Sequence, residues 1–149
     1  MKLKLKSLSK ATTIIALVFE GLGVLTAFAF GVLLRTRPAI IEFLIEQISA
    51  EFAVDSSIVA SASNVLGILL LVMGVVFLIV FIVNIKLFSG LIKGTYTLQE
   101  GRAILVWQVV WGAINLLFNQ LTAALYLISG ITGLNQLEID QRGARESWH

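Results

Sequence analysis

The 149-residue sequence contains no cysteine, a single histidine and a single proline. Without cysteine the chain forms no disulfide, has no thiol chemistry and offers no thiolate ligand to a metal. The one histidine, His149, is the last residue, so we interpret it as part of a polar tail and not as a ligand. The sequence therefore predicts neither a metal site nor a cofactor.

Charged residues are also scarce. They make up 13% of the chain, whereas hydrophobic residues make up 58% and the mean hydropathy is +0.94. An ordinary soluble domain is about 25% charged. The net charge of +2 is small, and the basic residues lie near the ends of apolar stretches, which argues against a nucleic-acid surface. This composition predicts an integral membrane protein.

Catalytic motifs are missing as well. The sequence has no HExxH motif, no glycine-rich phosphate loop, no Ser/His/Asp set and no paired carboxylates within an apolar stretch. We therefore predict that the protein is not an enzyme.

Long apolar stretches dominate what is present, and each membrane crossing needs roughly 20 such residues. Arg35, Arg37 and Pro38 end the first stretch, and Asn119-Gln120 divides the last one into two. The fold class is therefore predicted to be an all-α integral membrane four-helix bundle in a single domain, 1–149. Its spans are predicted at about 11–34, 61–85, 103–118 and 121–137.

Two alternatives concern these stretches. Spans three and four are short, so a hairpin that enters the membrane without crossing it is one alternative. The other is a signal peptide, because a lysine-rich start precedes the cleavage-like triplet Ala27-Phe28-Ala29. A signal h-region has only about 7–15 residues, whereas this apolar stretch continues to Leu34. We therefore interpret it as a first span.

The segment between the first two spans, 39–54, has an amphipathic pattern. Its apolar residues recur at helical spacing, and its acidic residues lie off that face. The apolar face consists of Ile41, Leu44, Ile45, Ile48 and Phe52. The pattern predicts an interfacial helix in the first exterior loop.

Cations are unevenly distributed over the ends of the spans. Nine of the eleven share one side in a four-span topology: four before span one, three between spans two and three, and two after span four. The other two, Arg35 and Arg37, lie in a first loop that is net acidic. Because cytoplasmic loops are enriched in Lys and Arg, both termini are predicted to be cytoplasmic. Contact of the first lysines with anionic lipid headgroups is a further possibility.

Glu20 is the one charged residue inside a predicted span. It lies roughly 13 Å from the start of the span, near the middle of the hydrocarbon core. An ionised carboxylate is costly there, so we expect Glu20 to be protonated, paired or next to a hydrated cavity. Gln108, Tyr126 and Ser129 have similar depths and complete a candidate intramembrane polar cluster for binding. The alternative is that Glu20 only bonds a neighbouring helix.

Small residues suggest close helix packing in span one. Gly23, Ala27 and Gly31 recur every four residues on one face, which allows a second helix to approach closely. This spacing leaves open whether the second helix belongs to the same chain or to another copy. We interpret Trp107 as an interfacial anchor and Trp111 as a packing residue.

Two stretches resemble known families. The segment Leu125–Leu134, together with Gly101 before span three, resembles the small four-helix membrane proteins of unknown function from Gram-positive bacteria. That resemblance implies a bacterial plasma membrane and four spans. The segment Ala16–Glu20 is similar to the first helix of small multidrug-resistance transporters, which carry an essential glutamate there. This chain departs from those transporters in its long first loop between Pro38 and Ser61.

Two functions follow as hypotheses. The first is a non-catalytic accessory, scaffold or immunity-type subunit that packs against a membrane partner or forms a homo-oligomer. The second is a small oligomeric proton-coupled transporter or channel that uses Glu20. Both require the lipid bilayer, and neither requires a nucleic acid or a cofactor.

Overall fold

The computed structural model describes residues 2–37, 39, 43 and 56–146, with the backbone alone for Ser56 and 143–146. In these residues the chain is all-helical, with four α-helices and no strand, which confirms the predicted all-α class. The helices are α1 Ser7–Thr36, α2 Ser56–Lys93, α3 Leu98–Asn115 and α4 Gln120–Glu146. The predicted interfacial helix, 39–54, lies almost wholly outside the described residues.

Helices α1 and α2 are long and apolar enough to cross a membrane. The helical segments Ser7–Thr36 and Ser57–Lys93 have 30 and 37 residues, which correspond to about 45 Å and 55 Å against a hydrocarbon core of roughly 30 Å. Helices α3 and α4 are less apolar on average, because α3 begins with a polar turn and α4 ends in a polar stretch after Leu137. The helices therefore directly support two of the four predicted spans as candidates.

The second span is predicted to end at Lys86 and to be followed by a helical extension and a turn, and helix α2 does continue to Lys93. An exposed lysine need not end a helix, because its long side chain can reach the surface while its backbone stays helical. The end comes at Gly94, whose φ of +67° lies in the left-handed region that favours glycine. The amide of Thr95 then donates to the carbonyl of Gly90 at 3.1 Å, which is part of a Schellman motif.

Helix α3 begins with a capping box formed by Thr97 and Glu100. The Thr97 hydroxyl accepts from the Glu100 amide at 3.3 Å, and the Thr97 amide donates to Glu100 Oε2 at 2.9 Å. The bond from the Thr97 amide, together with one from its hydroxyl, lowers the pKa of Glu100 below its usual value. Span three was predicted to start at residue 103, because the residues just before it are polar. The capping box shows that these polar residues form the first turn of the helix.

The chain passes from α3 to α4 through residues 116–119, close to the turn that the sequence predicted. Asn119 Oδ1 accepts from the amide of Thr122 at 3.1 Å, so Asn119 caps the start of α4. At the end of α3, Asn115 Nδ2 donates to the carbonyl of Trp111 at 2.9 Å. Helix α4 continues well beyond residue 137, where the fourth span was predicted to end.

The chain forms two compact units. Unit 1 comprises Met1–Gly21 and Phe81–His149, and unit 2 comprises Leu22–Val80. Unit 1 therefore draws on all four helices, whereas unit 2 draws on α1 and α2.

Glycines bring α1 and α2 close together in unit 2. A Cβ atom added to Gly67 would lie 3.0 Å from the carbonyl oxygen of Gly31. Of the small-residue face predicted in span one, Gly31 is thus buried against a helix of the same chain, and Gly23 and Ala27 are half-buried. This contact uses close backbone approach, the arrangement that small residues permit between membrane helices.

The first residues of the chain, Lys2–Lys6, pack along unit 1 as an extended segment. Leu3 and Leu5 are buried and the lysines are exposed, which follows the two-residue period of an extended chain. The amide of Leu3 donates to the carbonyl of Tyr96 at 3.0 Å. On α4, the Gln136 side chain accepts from one amide of this segment at 2.9 Å and donates to one of its carbonyls at 2.7 Å. The segment is therefore part of the fold of unit 1.

Candidate functional site

Buried polar side chains lie on the facing surfaces of the helices in unit 1. On α4 they occur at Thr122, Tyr126, Ser129 and Gln136, a spacing that keeps them on one helix face. Helices α1 and α3 show the same type of spacing. We call the whole set the polar column. Its members are Ser9, Thr13 and Glu20 of α1, Asn84 of α2, Gln108, Trp111 and Asn115 of α3, and Thr122, Tyr126, Ser129 and Gln136 of α4.

The outer faces of the same helices are apolar. Val106 and Val110 of α3 are exposed, as are Ile128 and Ile131 of α4. Polar residues usually lie on the surface of a water-soluble domain, with the large aliphatic residues inside. Unit 1 partly reverses that distribution.

The carboxyl group of Glu20 accepts hydrogen bonds from three other helices, and its side chain is only 5% exposed. Glu20 Oε1 accepts from Trp111 Nε1 at 2.7 Å and from Asn84 Nδ2 at 2.9 Å. Glu20 Oε2 accepts from the hydroxyl of Tyr126. Side chains from α2, α3 and α4 thus meet at one group of α1. All three donors are neutral.

Asn84 links this site to a second tryptophan. Its Nδ2 donates to Glu20, and its Oδ1 accepts from Trp107 Nε1 at 2.9 Å. The rings of Trp107 and Trp111 are stacked, with centroids 5.9 Å apart and planes inclined by 15°. The indole N–H of Trp111 therefore donates to Glu20 directly, whereas that of Trp107 donates to Asn84, which in turn donates to Glu20.

A second group of polar contacts lies two helical turns before Glu20 on α1. The Thr13 hydroxyl is 2.6 Å from that of Ser129, and it accepts from Gln108 Nε2 at 2.9 Å. One turn earlier, the hydroxyl of Ser9 donates to the carbonyl of Ser129 at 2.7 Å. This group joins α1, α3 and α4 through uncharged side chains alone.

The four residues of the predicted polar cluster divide between these two groups. Tyr126 bonds Glu20 directly, whereas Gln108 and Ser129 meet at Thr13. In the described part of the chain neither Gln108 nor Ser129 bonds Glu20. Depth along a span limits which residues can be neighbours, but it does not determine which side chains face each other across the helices.

The prediction left out Ser9, Thr13 and Asn84, which belong to these two groups of polar contacts. Thr13 had a usable signal, since it lies seven residues before Glu20 and so on the same face of the helix. Asn84 lies within a long run of apolar residues in the most apolar helix, so the mean hydropathy of that stretch conceals it. Trp111 was interpreted as a packing residue, but its indole N–H donates to the carboxyl group.

The site offers no metal centre in the described residues, where no three His, Cys, Asp or Glu side chains come together. Comparison with known protein families, with curated proteins and with solved structures found no match. The function is therefore argued from the geometry alone.

Proposed function

We propose that this chain is a non-catalytic integral membrane protein of a bacterial plasma membrane. It acts as an accessory, scaffold or immunity-type subunit that packs against another membrane protein or a second copy of itself. The observation that carries this proposal is the apolar outer surface of α2 in unit 2.

That surface contains a stripe of exposed aliphatic side chains. Val65, Leu69, Val72 and Val76 are 67%, 56%, 57% and 48% exposed. Only 11% of the 18 most apolar consecutive residues of α2 are buried, whereas soluble monomers rarely expose large contiguous apolar patches. These four residues are spaced by four, three and four positions, which is the spacing of apolar residues on a helix face that packs against a second helix. Lipid and a partner helix are both suited to such a surface.

The Glu20 network supports an internal packing role for that residue. Polar side chains between membrane helices contribute modest stabilising hydrogen bonds. Glu20 makes such bonds to three other helices at once. In this proposal it holds the helices of unit 1 together while α2 meets the partner.

The proposal includes four spans with both termini in the cytoplasm, and cysteine labelling tests this topology. The chain has no cysteine, so a single cysteine introduced at Ser49 or Ser147 is the only thiol in the protein that can be labelled. Both positions lie outside the described residues. We expect an impermeant thiol reagent to label Ser49→Cys in intact cells and to label Ser147→Cys only after the cells are opened. Labelling of both from outside would overturn the topology.

Photo-crosslinking in native membranes tests the partner. A photoreactive amino acid at Val72, in the exposed stripe, is expected to give a protein adduct of one discrete mass. The same amino acid at Ile128, on the outer face of α4, serves as the matched control and should give lipid adducts. Lipid adducts alone at Val65, Leu69 and Val72 would contradict the accessory role.

A second function, a small oligomeric proton-coupled transporter or channel, is favoured by the chemistry at Glu20. A carboxyl group inside a membrane protein often marks a proton or cation path. Glu20 is buried and bonded only to neutral donors, so protonation would not break an ion pair.

Flux measurements separate the two functions. If Glu20 only packs helices, Glu20→Gln should keep the fold and the partner adduct, because the amide is nearly isosteric and still forms hydrogen bonds. If the chain transports, the same variant in proteoliposomes should remain folded and lose its pH-driven flux, since an amide does not exchange a proton in this way.

A further inference from the structure

We propose that the polar column conducts protons through two buried water sites that flank Glu20, one at Gln108 and one at Thr122. The inference rests on the transport role of Glu20 and adds the path by which its carboxyl group exchanges a proton. It starts from two side-chain atoms, Gln108 Oε1 and Thr122 Oγ1. Both residues are 0% exposed, and neither atom has a hydrogen-bond partner in the described structure.

Gln108 needs a further partner whichever way its amide is turned. Its Nε2 bonds Thr13, and its Oε1 bonds nothing described. Turning the amide by 180° would exchange the two atoms and leave the nitrogen without a partner. Gln108 lies on the same face of α3 as Trp111, one turn before it. On α1 the small, fully buried Ala16 lies between Thr13 and Glu20.

Thr122 differs from the other threonines of the chain. Thr12, Thr26 and Thr132 each donate to the carbonyl four residues earlier in their own helix. Thr122 is in the first turn of α4, so the residue four positions earlier belongs to the turn and not to the helix. Its hydroxyl lies one helical turn before Tyr126, on the opposite side of Glu20 from Gln108.

Buried polar atoms are rarely left unpaired, and a water that bonds two to four polar groups is the usual solution. A water at Gln108 continues toward the hydroxyl groups of Thr13, Ser129 and Ser9. A water at Thr122 continues toward the turn before α4. Hydroxyl groups and water both donate and accept, so each can pass a proton along a chain.

The transfer is balanced without another reactant. A proton that arrives from one side passes to the first water, which at the same time gives one of its own protons to the Glu20 carboxylate, so that an O–H bond forms on Glu20 and the water remains neutral. Glu20 then releases the proton to the second water, and that water passes its excess proton onward. Tyr126, Trp111 and Asn84 hold the carboxylate in position between the two waters.

Proton flux into vesicles tests the path with variants matched in shape. Purified protein is reconstituted with a trapped pH-sensitive dye, and a potassium diffusion potential drives protons inward. Wild type should acidify the vesicles, and Gln108→Leu, Thr122→Val and Glu20→Gln should each lose this flux. Thr122→Ser keeps a hydroxyl and should retain it. Thr12→Val is the control, because the Thr12 hydroxyl is buried but bonded within its own helix. A thermal melt establishes that each variant is folded.

The outcomes separate this inference from the function on which it rests. If flux depends on Glu20 but is unchanged in folded Gln108→Leu and Thr122→Val, the transport role stands and the water path is wrong. If folded wild type gives no flux above protein-free vesicles, the transport role and the path are both wrong. Loss of flux in Thr122→Val together with retention in Thr122→Ser and Thr12→Val supports the path.

Discussion

Replacing Glu20 with leucine is expected to lower the free energy of unfolding by about 2–5 kcal/mol, since three hydrogen bonds are lost and their donors stay buried. Asn84, Trp111 and Tyr126 all donate to this one carboxyl group. Leucine offers no acceptor and cannot satisfy any of the three. Reversible unfolding in mixed detergent micelles measures the loss.

Glu20→Gln is the matched variant for this measurement. Its amide keeps one oxygen acceptor and nearly the same shape, so the expected loss is well below that of Glu20→Leu. The opposite result is informative as well. A leucine variant as stable as wild type, or more stable, would mean that residue 20 faces lipid, and the hydrogen-bond network in unit 1 would then be wrong.

Two glycines of α2 are expected to respond to alanine in opposite directions. Gly67→Ala should lower the free energy of unfolding by about 1–2 kcal/mol, because overpacking outweighs the gain in helix propensity. The new Cβ would lie 3.0 Å from the carbonyl oxygen of Gly31 and 3.3 Å from the amide nitrogen of Arg35. Both are backbone atoms, so a side-chain rotation cannot relieve the contact.

Gly74→Ala serves as the control, two turns further along the same helix. There the Cβ would lie 3.4 Å from the ring of Phe28, an ordinary van der Waals contact. Alanine favours the helix over glycine by about 1 kcal/mol, so this variant should be slightly more stable than wild type. Equal effects at the two positions would contradict the close approach of α1 and α2 in unit 2.

Composition and periodicity were enough to predict helices, but not where they end. The apolar stretches predicted the all-α class, and the Asn119-Gln120 pair indicated the break before α4. The ends of α2 and α3 depend on hydrogen bonds that hydropathy does not register. Gly94 ends α2 through its left-handed conformation, and Thr97 with Glu100 starts α3 within a polar turn.

The site was harder to predict because it depends on which helices are neighbours. Depth along a span indicated Glu20 and Tyr126 as possible partners. No pattern within α2 indicates that Asn84 lies beside Glu20, since the two residues are 64 positions apart. The burial of Leu3 and Leu5 was missed for a related reason. The lysines around them carried the prediction of topology, and the extended segment acquires its contacts from α3, α4 and the loop before α3.

The helices of unit 1 are synthesised one after another, so the polar contacts between them also form one after another. Glu20 is made early, whereas Trp111 and Tyr126 follow 91 and 106 residues later. Unit 2 is one continuous stretch of chain and can pack before α3 exists, but unit 1 combines the two ends of the sequence. Among the described residues, the Gln136 side chain donates to the backbone carbonyl of Lys4, 132 residues away in the sequence. Contacts of such long range form slowly, so Glu20 acquires its partners one helix at a time: Asn84 of α2 first, then Trp111 of α3, and Tyr126 of α4 last.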